Sequence, residues 1–405
     1  MKQIYVLCSL ISVLCSLSHA VTTNYLTVAN GTTNALLFVA PPCPGTNCPP
    51  CPPPVTNCTT TVYVTNCTYT QTVYNCTNPC PPCVTNCPPC PPAGGSAPFP
   101  SGLLIADERL GIVTMTTNLT VLGAPSTFSS GYNIAVDGHR AIVTGNRTFH
   151  SPACASQQQA GMWIYNTSNA VPVLVGSVIT TETLNDCVLA GDYAYVACGS
   201  VGVKVFNLSN PAAPTLAGSY DTPGQAWSVR IVGNVLYVAD GTVGVRILNV
   251  SNPAAITSTG SLATPTAVRD VAVVGTMVYA AGGGGLHVID AGNPAAPALL
   301  GSYTSGYPFS PLKVRVANNV AYVAASSGGL WTFNVSNPAS PVKLGSIASC
   351  GSSSAATLGV AVAGNIAYVA NGAGGLHVVN ISNPSAPMLV NSVVSAGDVK
   401  SIAVK

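Results

Sequence analysis

Charge is what this chain has least of. Only 6% of its 405 residues are Asp, Glu, Lys or Arg, and 13 basic against 11 acidic side chains give a formal net charge of +2. Binding along a nucleic-acid backbone requires clustered Lys and Arg, so no nucleic-acid partner is expected. From Val21 to Ala106 there is no Asp, Glu, Lys, Arg or His at all, and isolated charges resume beyond it. That change of composition places a boundary near residues 93–100.

Helical periodicity of useful length is also missing, which argues against an α-rich fold. The sequence has no Gly-x-Ser-x-Gly elbow, His-Glu-x-x-His helix, phosphate loop or paired-carboxylate spacing. Glycines 282–285 lie at a strand turn with no helix start behind them, so they do not read as a nucleotide site. No catalytic residue, cofactor or metal site is therefore assigned, and the reading leans away from an enzyme.

Long apolar runs are scarce. One extends from Ile4 to Leu17, between Lys2 and Ser18-His19-Ala20, and residues 1–20 read as a cleaved signal peptide. The competing reading is an uncleaved anchor, but the run is shorter than the roughly 20 residues a spanning helix needs. No other segment is suited to cross a bilayer as a helix. Bulky Leu14 before Cys15 argues against lipidation. The expected location is secreted, extracellular or at the cell surface.

Residues 21–41 form an uncharged N-terminal segment, and residues 42–100 a Cys/Pro/Thr/Asn-rich extended stalk or linker. Of the chain's 16 cysteines, ten fall here: Cys43, Cys48, Cys51, Cys58, Cys67, Cys76, Cys80, Cys83, Cys87 and Cys90. In a secreted chain these are disulfide candidates. Three Cys-Pro-Pro-Cys units recur, at 48–51, 80–83 and 87–90. Polyproline II geometry, at about 3.1 Å per residue, separates the two thiols of a unit by about 9 Å. A bridge needs Cα atoms within about 7 Å, so each thiol is expected to pair elsewhere in the stalk or with another chain. Zinc on Cys80, Cys83, Cys87 and Cys90 is disfavoured by the short gap between the pairs.

Residues 101–405 repeat. Asn207-Leu-Ser-Asn-Pro, Asn249-Val-Ser-Asn-Pro, Asn334-Val-Ser-Asn-Pro and Asn380-Ile-Ser-Asn-Pro are the clearest copies, with weaker ones at Asn166 and Asp290. Their first residues are spaced 41 to 46 apart, the period of a four-stranded propeller blade. Val- and Ala-rich inner strands read as buried between blades. Val399 to Val404 matches a first strand whose partners are missing there and appear instead at Leu103–Ala106, Gly111–Met115 and Leu119–Gly123. The expected fold is all-β, a seven-bladed propeller of six complete blades and one shared between the two ends, which leaves no open sheet edge.

The repeats resemble the LVIVD-repeat family of β-propellers, in the stretches Leu286-His-Val-Ile-Asp290 and Leu376-His-Val-Val-Asn380 followed by Ser-Asn-Pro. The resemblance covers about three quarters of the chain. It implies a secreted or cell-surface protein of undefined activity and brings no catalytic motif. Asn replaces the expected Asp at 166, 207, 249, 334 and 380, which creates Asn-x-Ser each time. Such a residue can cap its turn. It can also accept a glycan, as can Asn30, Asn57, Asn66, Asn75, Asn118 and Asn146.

The loops that join strands two to three, and four to the next blade, share one face, here called the top. Residues 146–161 read as a long loop there, and residues 346–357 as a lengthened crossing. Inner-strand starts bring Glu182, Asp186, Trp227, Arg269, Asp270, Lys313, Arg315, Asp398 and Lys400 to this face as binding candidates, or as ordinary inter-blade ion pairs. Convergence of Glu182, Asp186, Asp270 and Arg315 on one cavity would favour an enzyme. His287 and His377 recur at one strand position, which argues for packing over metal. Cys187 and Cys198 flank a hairpin and are expected to bridge, with Cys154 and Cys350 on top-face loops as further candidates.

The functional expectation is a non-enzymatic binding or scaffold protein with an extracellular protein or glycan ligand at the propeller top. Disulfide-linked self-association through the stalk is a second expected partner mode. A cross-linked wall or matrix protein is the alternative, and a hydrolase or lyase in the channel mouth a third reading.

Overall fold

The computed structural model describes residues 21–26, 34–39, 63–64, 67–68, 103–107, 111–115, 121–123, 130–151, 154–168, 172–305, 310–348, 356–394 and 397–404. The chain divides into two units, Met1–Cys90 and Pro91–Lys405. In the first, Val21–Leu26 pairs antiparallel with Asn34–Val39, and Tyr63–Val64 with Cys67–Thr68. The expected signal peptide, the Cys-Pro-Pro-Cys units, Cys350, and Asn30, Asn57, Asn66, Asn75 and Asn118 lie outside the described residues.

The second unit is a β-propeller. Blade 1 consists of Ser130–Asp137, Arg140–Ser151, Cys154–Asn166 and Val173–Thr180. Blade 2 consists of Asp186–Ala190, Tyr193–Ala197, Val203–Asn207 and Thr215–Tyr220, and blade 3 of Ser228–Val232, Val235–Ala239, Val245–Asn249 and Thr257–Leu262. Blade 4 follows with Asp270–Val274, Met277–Gly282, Gly285–Asp290 and Ala298–Thr304. Blade 5 has Lys313–Ala317, Val320–Ala324, Leu330–Asn334 and Val342–Ile347, and blade 6 has Gly359–Ala363, Ile366–Ala370, Leu376–Asn380 and Met388–Val393. In each, the four strands pair in sequence order.

The expectation of seven blades is corrected to six that are each made from one continuous stretch of chain. The remaining four-stranded sheet is composite: Val399–Val404 pairs with Leu103–Asp107, which pairs with Gly111–Met115 and then Val121–Gly123. Its inner strand, Val399–Val404, contacts the first strands of blades 6 and 1, as each first strand contacts those of its neighbours.

Hydrophobic clusters sit between blades, because both faces of each sheet are covered. One joins Tyr279, Leu286 and Val288 of blade 4 to Val314, Val323 and Phe333 of blade 5. Tyr303 of blade 4 meets Phe333 edge-on at 4.9 Å between ring centroids. Phe333 is fully buried, a burial worth about 1.5–3 kcal/mol relative to exposure.

The outer seams rest on a second repeat. The glycine at the middle of each fourth strand in blades 1 to 5 abuts the Asn-Pro turn of the next blade. A Cβ built on Gly218 would stand 2.1 Å from the Pro253 carbonyl oxygen, and one on Gly260 2.1 Å from that of Pro294. Blade 6 has Asn391 at this register position, opposite Val378. The sheet beyond it is the composite one, whose strand sequence carries no Asn-Pro turn.

The turn reading of the Asn-x-Ser copies is realised. Asn166, Asn207, Asn249, Asn334 and Asn380 each accept a hydrogen bond on Oδ1 from the backbone N–H of the serine two residues on, at 2.8 to 2.9 Å. Asp290 does the same for Gly292 at 2.8 Å, so amide and carboxylate serve equally as turn caps.

Two local expectations are corrected. Residues 146–161 do not form a loop. The second and third strands of blade 1 run on as an extended hairpin, in which Asn146 pairs with Ala160, Thr148 with Gln158 and Ser151 with Cys154. Cys154 therefore begins a strand. Cys187 and Cys198 are free thiols, both buried. The register sets Cys187 opposite Val196 and leaves Cys198 on the diagonal, where Cα atoms lie about 7–8 Å apart, beyond disulfide reach.

Candidate functional site

The first strands of the blades carry their chemistry at two register positions. The first position is occupied by Asn133, Asp186, Ser228, Asp270, Lys313 and Gly359 in blades 1 to 6 and by Ser401 in the composite sheet. Each pairs with a small residue on the second strand, Ala in every sheet but the first, where it is Thr144. Two residues on, the second position holds Ala135, Val188, Arg230, Ala272, Arg315, Ala361 and Ala403. Two guanidinium groups thus stand among small side chains.

Asp186 and Asp270 are completely buried. Each reaches across to the next blade. Asp186 accepts the Val229 backbone N–H at 3.2 Å, and Asp270 accepts that of Val314 at 2.8 Å. Ser228 lies between them, its Oγ 2.5 Å from Asp186 Oδ2 and 2.5 Å from Asp270 Oδ1. Its single proton serves one carboxylate at a time. Asn133 donates through Nδ2 to Asp186 Oδ1 and accepts the Ser401 hydroxyl on Oδ1 at 2.7 Å.

Arg230 links the carboxylates, with Nη1 2.8 Å from Asp186 and Nη2 3.2 Å from Asp270. Arg315 Nη1 is 3.1 Å from Asp270. Lys313 Nζ stands 3.6 Å from both carboxylates, beyond hydrogen-bond length. Burial opposes ionisation of Asp186 and Asp270, but Lys313 and Arg230, joined at Asp270 by Arg315, outweigh it and hold both carboxyls below their ordinary range. Burial lowers Arg315, and repulsion from Arg230 adds to it, against the pull of Asp270 and Asp186.

The candidates named from sequence divide accordingly. Asp186, Asp270, Lys313 and Arg315 converge, although the two aspartates are clamps between blades with no exposed surface to offer a partner. Glu182 does not join them. It pairs with Lys204 at 2.7 Å in a separate groove of about 800 Å³ at the seam of blades 1 and 2, lined also by Val178, Ile179, Phe206 and Leu216. Asp398 pairs with Lys400 at 2.9 Å. Arg269 is exposed and stacks over Trp227, its guanidinium carbon 4.6 Å from the ring centroid, an arrangement worth about 0.5–1 kcal/mol at an exposed site.

Arg230, Ser228, Asn133 and Ser401 were not singled out in the sequence. The available signal was spacing, since Ser228 lies 42 residues from both Asp186 and Asp270.

His287 is buried and held by Thr266 at 2.7 Å and Ser302 at 2.8 Å. His377 occupies the same place in blade 6, opposite Ser392. Among the described residues no cluster of three or more His, Cys, Asp or Glu is placed to hold a metal ion.

The repeat model described as LVIVD repeat matches residues 184–222, 223–264, 266–305, 312–348 and 356–395. The chain is an LVIVD-repeat protein. Its five matched LVIVD repeats correspond to blades 2 to 6, each with the crossing that leads into it. No curated protein matches the chain. Among solved structures it is similar to a protein from Lactobacillus plantarum, at 13% identity and a TM-score of 0.61, covering 75% of this chain and 98% of the other. A functionally unknown protein from Desulfotomaculum acetoxidans is similar at 15% identity and a TM-score of 0.59, again over 75% and 98%. The computationally designed Ika8 protein aligns at 12% identity with a TM-score of 0.54, over 75% and 88%. At such identities the likeness is one of fold.

Proposed function

We propose that this LVIVD-repeat protein is a secreted or cell-surface, non-enzymatic binding or scaffold protein, with the propeller top as its interaction surface and the cysteine-rich segment as spacer or cross-linker. Counting the composite sheet as a blade makes the propeller a closed seven-bladed ring. The observation that carries the reading is the division of labour at the mouth. Asp186 and Asp270 are buried, held below the ordinary carboxyl range by the cations around them, and committed to backbone and cationic donors of the neighbouring blades, which suits a clamp and not a proton-transfer group. Trp227 and Arg269 instead present a stacked aromatic–cation pair at the surface, the residue types that anchor protein interfaces.

The proposed ligand is an extracellular protein or glycan. The test is binding of the purified protein to arrays of extracellular proteins and glycans, with Trp227→Ala and Arg269→Ala in parallel. A ligand lost with either variant supports the top face. Binding that survives both substitutions overturns it. N-terminal sequencing of secreted material is expected to begin at Val21, and an intact Met1 would contradict the signal-peptide reading. The matrix alternative is favoured by the ten cysteines of the segment from Cys43 to Cys90. It predicts multimers on non-reducing gels that collapse on reduction.

A further inference from the structure

The two inner-strand positions carry three cations, Arg230, Lys313 and Arg315, against two carboxylates, Asp186 and Asp270. One positive charge is left uncompensated. Donor capacity is left over on the same side. Lys313 Nζ hydrogen bonds to no described group, and Arg315 spends only Nη1, on Asp270 and on the Val314 carbonyl at 2.7 Å. Its Nε and Nη2 donate to no described group, and its side chain is 31% exposed, the most open of the three cations.

The next blade adds nothing to satisfy these donors. The residues in register with Lys313 and Arg315 are Gly359 and Ala361 in blade 6, and Ser401 and Ala403 in the composite sheet. Gly359 has no side chain, the alanines carry no acceptor, and the Ser401 hydroxyl is engaged by Asn133. On the other side, Asp270 holds Arg315 in place, so the guanidinium is pre-oriented without being saturated.

We propose that Arg315 and Lys313 form a binding site for a single carboxylate group, received by the Nε and Nη2 donors that Arg315 leaves over at its partly exposed side chain. A carboxylate supplies one negative charge, which matches the excess. Its two oxygens fit the paired N–H groups of Arg315, with Lys313 as the second cation. The carboxylate can belong to a free small acid or to the C-terminus of a peptide. The inference deepens the binding reading of the propeller mouth, and it rests on different residues from Trp227 and Arg269.

The test uses the full chain and acetate as the probe. Line broadening of ¹³C-acetate and the thermal midpoint are followed while acetate replaces chloride at constant ionic strength. Saturable broadening and a rising midpoint are expected, with affinity for acetate at least roughly tenfold weaker in Arg315→Gln, the size of one lost charge-assisted hydrogen bond. Lys313→Met is expected to weaken it in the same direction, and it decides the question if Arg315→Gln fails to fold by circular dichroism. Identical behaviour in acetate and chloride, or an acetate response that persists in the folded variants, overturns the site. A short peptide with a free C-terminus compared with its C-terminal amide separates the two sources. A free-acid site prefers acetate to both, and a C-terminus site binds the free peptide more tightly than acetate and does not bind the amide. Trp227→Ala is expected to leave the acetate response intact, so failure of the carboxylate site and failure of the top-face reading are distinguishable.

Discussion

Gly218 of blade 2 lies so close to Pro253 of blade 3 that a Cβ would stand 2.1 Å from the proline carbonyl oxygen. That obstacle is backbone and cannot rotate away. Gly218→Ala is therefore expected to push the two blades apart, at a cost of roughly 1–3 kcal/mol, read as a lower urea midpoint. Asn391→Gly, at the same register in blade 6, is expected to change stability by less than about 0.5 kcal/mol, as surface substitutions generally do. Equal losses for both would disprove the seam argument.

Removing one carboxylate from the clamp leaves three cations facing a single anion. Asp270→Asn is expected to destabilise the propeller by roughly 3–5 kcal/mol, the usual consequence of breaking a buried ion pair from one side. Denaturant unfolding measures it. A loss below about 1 kcal/mol would mean that solvent already screens the group.

Acid is expected to weaken the fold in two windows. His287 is lowered by burial, so the unfolded chain takes up its proton first. The stability from His287 is complete above the unfolded value of about 6.5 and is lost as pH falls through it towards the folded value. Asp186 and Asp270 are also lowered. Their contribution is complete above about 4 and is lost at more acid pH. Unfolding midpoints at pH 7.5 and 5.5 should differ, and His287→Gln should reduce that difference. An unchanged difference would remove His287 from the account.

The Cys187 and Cys198 thiols are raised by burial, Cys198 to about 12, so neither is ionised near neutrality. Native protein treated with iodoacetamide is expected to remain unmodified at both positions by peptide mapping, and unfolded protein to be modified at both without reductant. A bridged peptide containing the two would contradict the free thiols.

Since Asp290 caps its turn as the asparagines do, Asn249→Asp is expected to be neutral. Asn249→Ala should lose roughly 1 kcal/mol, the value of one hydrogen bond. If the two variants unfold alike, the cap contributes nothing.

The blades were legible because four repeats announce their turn with Asn-x-Ser-Asn-Pro and two with weaker copies, and because Val399–Val404 has the pattern of a first strand with its partners at the far end of the chain. The clamp was only half legible. Asp186 and Asp270 stood out as rare charges, but their burial depends on the next blade supplying Val229 and Val314 N–H groups, a matter of inter-blade register. Ser228 and Asn133 are ordinary residues until that register brings them to a carboxylate. The extended hairpin of blade 1 was misread because residues 146–161 are polar, and polarity is a poor guide where strands project beyond the sheet. The cysteine pair was misread because nearness along a hairpin says nothing of the diagonal offset between its strands.

The composite sheet gives the molecule a timetable. Asn133 and Ser401 join across a separation of 268 residues, which translation at about 5–20 residues per second covers in roughly 13 to 54 seconds. Throughout that interval Leu103–Asp107 has been made and its inner partner has not, so one strand edge waits open while six blades assemble beside it. Val399–Val404 is thus the segment that ends this strand's exposure to its neighbours, and a ribosome that stops before reaching it releases six blades beside an edge left uncovered.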